Sequence, residues 1–186
     1  RAIFLNVLKR TVQGLIGAAI RKTPIIEVPS ALDEHIKDCD FMGTSLHEMI
    51  HKVLEELLIT GRSTLVVDRM DNSRTYFTRY NAESFMNWRM SRNIPTMAVF
   101  AEELDITNDG YDHELKTQYR VYDFNESGDV RVRIALEKPP EDQRDDEDSF
   151  VIVYETVPTM MGESLKKLPI FTMNSTGLGF DTLDSP

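Results

Sequence analysis

The chain has 186 residues, 41% hydrophobic and 28% charged; this is globular composition, long enough to bury a core without disulfide or metal, and it excludes a disordered or collagen-like polymer. Acids outnumber bases 31 to 21, a net charge of −10, which excludes a broadly basic grip on nucleic acid or an anionic membrane surface, because such a grip needs clustered Lys and Arg. A single cysteine, Cys39, excludes an internal disulfide framework and a cysteine-based zinc finger.

The first segment reads as a helix. Ile3, Phe4, Val7, Leu8, Val12, Leu15, Ile16, Ala19 and Ile20 recur at spacings of three and four, one apolar stripe. Gly14 and Gly17 interrupt it, each at a cost of roughly 1 kcal/mol against Ala, and are expected to admit a close backbone approach from this chain or a neighbouring one. Pro24 is expected to stop the helix. Residues 24–29 read as an extended link, Ser30 as the N-cap of a short helix to about Asp40, and Asp33 as an acid in its first turn. A longer helix follows Ser45, with Leu46, Met49, Ile50, Val53, Leu54, Leu57 and Leu58 on one stripe and Gly61 as a left-handed C-terminal cap.

After Gly61 the period changes from helical to alternating. Strands are expected at 63–68, 76–80, 85–90, 96–104, 118–124, 130–137, 149–157 and 168–173, with a hairpin around Asn125-Glu-Ser-Gly-Asp129. In 130–137, Val130, Val132, Ile134 and Leu136 share one face, and Arg131, Arg133 and Glu137 the other. Residues 105–116 and 137–148 read as polar loops; the second holds seven acids and two bases, half the net charge of the chain. Helices first and antiparallel strands afterwards predict an α+β fold. The expected organisation is a helical segment, 1–61, and a β-rich region, 62–186, in one compact unit. No apolar run approaches the ~18 residues that would span a bilayer, and no signal peptide is visible. The chain starts at Arg1 and ends at Asp-Ser-Pro186, which reads as the internal part of a longer protein.

The sharpest chemical motif is His47-Glu48-Met49-Ile50-His51, which matches H-E-x-x-H on a helix. In zinc peptidases the two histidines bind Zn²⁺ from one helix face and the glutamate activates the metal-bound water. Three features oppose that role. Ser45-x-x-Glu48 is a capping box, which would hold Glu48 at the helix start. His47 and His51 lie off the apolar stripe. No third ligand follows at a recognised spacing. The expectation is therefore a capped, solvated helix face, with no metal, cofactor or catalytic residue assigned.

The remaining candidates have plainer readings. His35 and His113 lack partner spacing and read as surface residues. Cys39 reads as a buried or neutral thiol. Asp68 and Asp71 are one of many acid pairs expected by chance in an acidic chain. No phosphate loop or nucleophile elbow is present, and Gly177-Leu-Gly179 reads as a turn. Trp88 reads as a half-buried strand aromatic, and Met160-Met161 as flexible side chains able to pack against a neighbour.

Several stretches are familiar as a series. Arg10-Thr-Val-Gln-Gly-Leu-Ile-Gly-Ala-Ala-Ile-Arg-Lys-Thr-Pro24 precedes Gly43-x-Ser45-Leu46, then Leu54-x6-Gly61-Arg62-x3-Val66-Val67-Asp68, then Tyr80-Asn-Ala-Glu-Ser-Phe-Met-Asn-Trp-Arg89, and finally Leu168-Pro-Ile-Phe171 with Asn174 and Gly177. The series resembles tailed-phage and prophage portal proteins, specifically the N-terminal wing region of a portal-like family known as a domain of unknown function. The resemblance implies a non-catalytic virion protein that forms a ring of copies, usually a dodecamer, at one capsid vertex for genome packaging and ejection. Capsid or scaffolding protein would contact the ring. Terminase and tail adaptor would dock through regions outside this segment, and DNA would pass through the channel without sequence-specific binding or any membrane involvement. It would sit at the capsid portal vertex, and in the host cytoplasm during assembly. An acidic chain suits a channel through which DNA slides, and the glycine-bearing first helix suits packing in a cyclic ring. Two other readings stand beside it: a small zinc-dependent hydrolase using His47, Glu48 and His51, and a non-catalytic α+β interaction module.

Overall fold

A computed structural model describes residues 6–69, 74–92, 94–105, 115–138, 149–175 and 177–178. The fold is α+β: helices come first and antiparallel sheet follows. The chain divides into two compact units, one of Arg1–Ala82 with Pro169–Thr182, the other of Glu83–Leu168 with Leu183–Pro186.

The first unit contains all three α-helices. Helix α1 runs Val7–Ala19, and the Asn6 side chain accepts a 2.9 Å hydrogen bond from the Lys9 amide at its start. It ends before Pro24, at Ala19, where the Ile20 amide closes the last turn on the Ile16 carbonyl. Residues 21–27 are exposed, so a further turn would bury nothing. Of the described part of the stripe only Val12 and Ile16 are buried, while Val7, Leu8 and Leu15 face solvent; Ile3 and Phe4 lie outside the described residues. Among the described residues a Cβ placed on Gly14 or Gly17 would meet nothing within 4 Å, so none of them makes the close approach expected at these glycines. Ser30 does not cap a helix. It lies inside a 3-10 turn, Ser30–Leu32, behind Pro29, and helix α2, Asp33–Lys37, follows directly with Asp33 and Glu34 in its first turn.

Helix α3, Leu46–Thr60, begins and ends where its signals predict. Ser45 is the N-cap, and Gly61 adopts φ 82° and returns its amide to the Leu57 carbonyl at 3.0 Å. The left-handed turn feeds the chain into β1, Arg62–Arg69. This strand is central in a sheet ordered β11-β10-β1-β2, with β2 Thr75–Tyr80, β10 Ile170–Asn174 and β11 Gly177–Leu178, all antiparallel. Gly177-Leu178, expected as part of a turn, instead pairs with Asn174 and Met173.

Helix α1 packs on α3 and α3 on β1. The buried residues of this unit include Val12, Ile16, Met49, Val53, Val66 and Ile170, joined by Thr64 and Thr172, whose hydroxyls lie 3.1 Å apart. That pair explains two polar residues in a core: each satisfies the other. The division of the chain also differs from the expected boundary at 61/62. Strands β1 and β2 stay with the helices because α3 runs without a linker into β1, and β10 returns from the far end of the chain to pair with it.

The second unit is a five-stranded meander, β3-β4-β5-β6-β7, of Phe85–Ser91, Ile94–Asp105, Leu115–Phe124, Val130–Glu137 and Phe150–Thr156. A two-stranded hairpin, β8 Thr159–Met160 and β9 Glu163–Ser164, follows. The β5–β6 turn is closed by Asn125, which accepts from the Gly128 amide through its carbonyl and from the Asp129 amide through its side chain, with Gly128 at φ 75°. An aromatic row crosses the sheet: Phe85 lies 4.7 Å from Phe100, and Phe100 6.0 Å from Tyr122 in an edge-to-face pair. Ala98, Tyr122 and Val132 stand opposite one another and are buried. The expected loop 105–116 is shorter at both ends, because β4 reaches Asp105 and β5 begins at Leu115, and the loop expected at 137–148 gives up only Glu137, to β6, while β7 begins at Phe150; residues 106–114 and 139–148 and Asp71 lie outside the described residues.

Candidate functional site

The start of α3 holds the H-E-x-x-H motif, and its geometry can be tested atom by atom. The Ser45 hydroxyl accepts from the Glu48 amide at 3.2 Å, and the Glu48 carboxylate accepts from the Ser45 amide at 2.9 Å and its hydroxyl at 3.1 Å. Both halves of the capping box are therefore made. Hydrogen bonds from the Ser45 amide and then its hydroxyl hold the Glu48 carboxyl below the usual carboxylate range. A carboxylate held this way is turned to its own helix terminus rather than to a water beside the histidines. His51 is exposed and His47 half-buried. Among the described residues no group of three or more His, Cys, Asp or Glu side chains is placed to share a metal ion.

The segment leading to α3 is tied down by local bonds. The Asp40 carboxylate accepts from the Met42 and Thr44 amides at 2.9 and 3.1 Å, and the Asp38 carboxylate from the Gly43 amide at 3.1 Å. Burial pushes the Asp40 carboxyl up, but the bonds from Thr44 and Met42 outweigh it and bring it below its ordinary value. Phe41 takes φ 62°, and the Arg74 guanidinium lies over its ring at 4.5 Å while pairing with Asp38 at 2.8 Å. Cys39 is fully buried, and burial, followed by the nearby Asp40 charge, pushes its thiol up, away from nucleophilic character. His35 meets the Thr75 hydroxyl at 3.2 Å. His113 lies outside the described residues. These contacts build a turn; they do not converge on a ligand.

The less ordinary surface belongs to the five-stranded sheet. Among the described residues strand β7 is an edge, paired only with β6. Its residues Phe150, Val151, Ile152, Val153 and Tyr154 are 48%, 45%, 45%, 53% and 53% exposed. Exposure of every one of five consecutive residues means that both faces and the edge are open to solvent. Its single acid, Glu155, lies 3.9 Å from Arg131, and Arg131 makes its stronger pair with Asp123 at 2.9 Å. Hydrogen bonding to Asp123 raises the Arg131 guanidinium, despite some burial. Asp123 also takes Arg133, so one face of β5–β6 is closed by ion pairs.

At the other edge, β3 carries exposed Met86, Asn87 and Arg89, with Arg92 in the turn beyond. Trp88 on this strand is half-buried against Phe85, ring centroids 5.3 Å apart. Met160 and Met161 sit at the β8–β9 turn, 64% and 99% exposed, with Met161 at φ 54° and Gly162 at φ 84°. In the first unit a shallow apolar cleft between α1 and α3 is lined by Leu15, Ile16, Leu54, Leu57 and Leu58. No described helix is long and apolar enough to cross a membrane.

Sequence reasoning located α3, its cap and its motif, but it missed β7 as a surface. A run of five apolar residues reads as buried, and nothing in the run itself says that it has one neighbour. The chain matches no family model and no curated protein.

Proposed function

We propose that this chain is the wing region of a tailed-phage portal subunit, an assembly protein that works by holding copies of itself in a ring. The observation that carries the reading is apolar surface left open on helix and strand of a strongly acidic chain: Phe150–Tyr154 on β7, where the pairing with β6 shifts register between Ile152 and Tyr154, and Val7, Leu8 and Leu15 on α1. Exposed apolar runs of this extent mark contact surfaces rather than solvent faces. Four of the five stretches that carry the portal resemblance fall at joints of the fold, while Arg10–Pro24 lies mostly within α1. Gly43-x-Ser45-Leu46 is the capped start of α3, Leu54-x6-Gly61-Arg62 its junction with β1, Tyr80–Arg89 the passage from β2 to β3, and Leu168-Pro-Ile-Phe171 the entry to β10. Residues spent on joints suit a part whose work is mechanical.

On this reading the ring contacts capsid or scaffolding protein, with terminase, tail adaptor and DNA engaged through other regions. The test is the native mass of the intact protein by light scattering or native mass spectrometry. A closed assembly of many copies is the expected result, and a monomer at every concentration counts against it. The zinc-hydrolase reading requires Glu48 to leave its cap, and stoichiometric zinc lost on His47→Ala would favour it. An interaction module of another kind would instead present as a monomer that binds a different protein through the sheet.

A further inference from the structure

Among the described residues the five-stranded sheet has two unpaired edges, β3 and β7, and they differ in a way that makes them fit each other. Strand β7 offers Phe150–Tyr154, continuous and apolar, and its only charged residue is an acid, Glu155. Glu137, opposite Phe150 on the neighbouring strand, is a second exposed acid at that edge. Strand β3 offers Met86, 54% exposed, with Arg89 on the strand and Arg92 just past it, both exposed and without an acid in the strand. Among the described residues neither arginine makes an ion pair.

We propose that β7 of one copy pairs with β3 of the next, so that the sheet continues from subunit to subunit. The inference rests on the ring reading, since its partner is a second copy of this chain. An open edge selects an extended strand, because only a strand can satisfy its row of amides and carbonyls. Charge then selects which strand. Two β7 edges would bring acid to acid between copies that each carry −10, whereas β3 brings Arg89 and Arg92. Successive strands in the sheet are antiparallel, so β3 and β7 run in the same direction. An operation that preserves strand direction lays them parallel, with Glu155 and Arg89 at neighbouring levels toward the strand ends and Met86 beside the apolar run. Edge β7 differs from edge β3, so the contact is heterologous, the kind that generates a ring when its rotation closes.

The experiment is a charge exchange in the intact protein, read by native mass across a concentration series. Arg89→Glu and Glu155→Arg should each raise the concentration of half-assembly by about tenfold. Together they should restore it to within about threefold of the parent. Melting temperature and circular dichroism report whether each variant keeps its fold. As an independent readout, Asn87→Cys with Ile152→Cys should give a ladder of covalent multimers on oxidation, while Ile152→Cys alone should give none. A covalent dimer from Ile152→Cys alone would place β7 against its own symmetry mate and overturn the proposal. A ring that forms as before with either charge reversed, and yields no ladder, removes this interface and leaves the ring reading standing. A monomer throughout removes both.

Discussion

Strands β1 and β7 look alike as sequence and behave as opposites in the fold. Ser63-Thr-Leu-Val-Val-Asp68 and Phe150-Val-Ile-Val-Tyr154 are both β-branched, apolar runs of the kind that fills a sheet interior. Strand β1 lies between β10 and β2 and buries Ser63, Thr64 and Val66 completely or nearly so. Strand β7 has β6 on one side and solvent on the other. The difference teaches that the composition of a strand reports what its surface needs, while topology decides whether the chain itself supplies it. For β1 the need is met from within, by a strand that returns from about a hundred residues later. For β7 it is left open.

The largest effect should come from placing a charge in each. Val66 is 0% exposed, so Val66→Asp buries an unpaired carboxylate and should cost about 4 kcal/mol or more, enough to unfold a domain of ordinary stability. In the unassembled subunit, at concentrations below assembly, Ile152→Asp leaves its carboxylate in water and should cost less than about 1 kcal/mol. Urea titration of both variants checks the contrast. Comparable losses would mean that β7 is covered in solution.

Aromatic truncation repeats the comparison with a smaller difference. Phe100 is fully buried between Phe85 and Tyr122, and Phe100→Ala should cost about 3–5 kcal/mol. Phe150 is 48% exposed and touches one ring, Tyr119, at 5.2 Å; Phe150→Ala should cost about 1 kcal/mol. On the proposed edge pairing the order should narrow on assembly, because Phe150 would then lie at an interface.

The contrast also marks what could be read from the sequence. Local signals were legible: the Ser45–Glu48 box and the Gly61 cap fixed both ends of α3, and alternation of Val130 to Leu136 against Arg131 and Arg133 fixed β6. Each depends on residues a few positions apart. What was not legible depends on partners far away. That β10 would claim β1, and so draw β1 and β2 to the helices rather than to the other strands, is a matter of pairing across a hundred residues. The fate of Gly14 and Gly17 was hidden for the same reason: a small residue announces room for a neighbour without saying whether this chain provides it. The portal reading differs in kind, resting on the order of whole stretches. The structure adds the open edges to it, and these carry no periodic mark.

The smallest expected effects concern the cap of α3, where the catalytic and structural readings of Glu48 diverge. Ser45→Ala removes the hydroxyl that accepts from the Glu48 amide and should cost about 1 kcal/mol. The Glu48 carboxyl sits below its ordinary range because it accepts two bonds from Ser45. Its folded value is depressed, so its contribution is fully present above the unfolded carboxylate value and is lost as the pH falls through the folded one. The helical signal should therefore weaken in that acid window. Glutamine can occupy the same position of a capping box, so Glu48→Gln should keep most of the stability at neutral pH and flatten that part of the acid dependence. A residue serving as a metal-site base would show the reverse pattern: a stability indifferent to the substitution and a zinc-dependent activity abolished by it. Measuring melting temperature against pH for the parent and for Glu48→Gln separates the two with a single pair of curves, because the cap needs a side chain that accepts from Ser45, whereas a base needs one that takes up a proton.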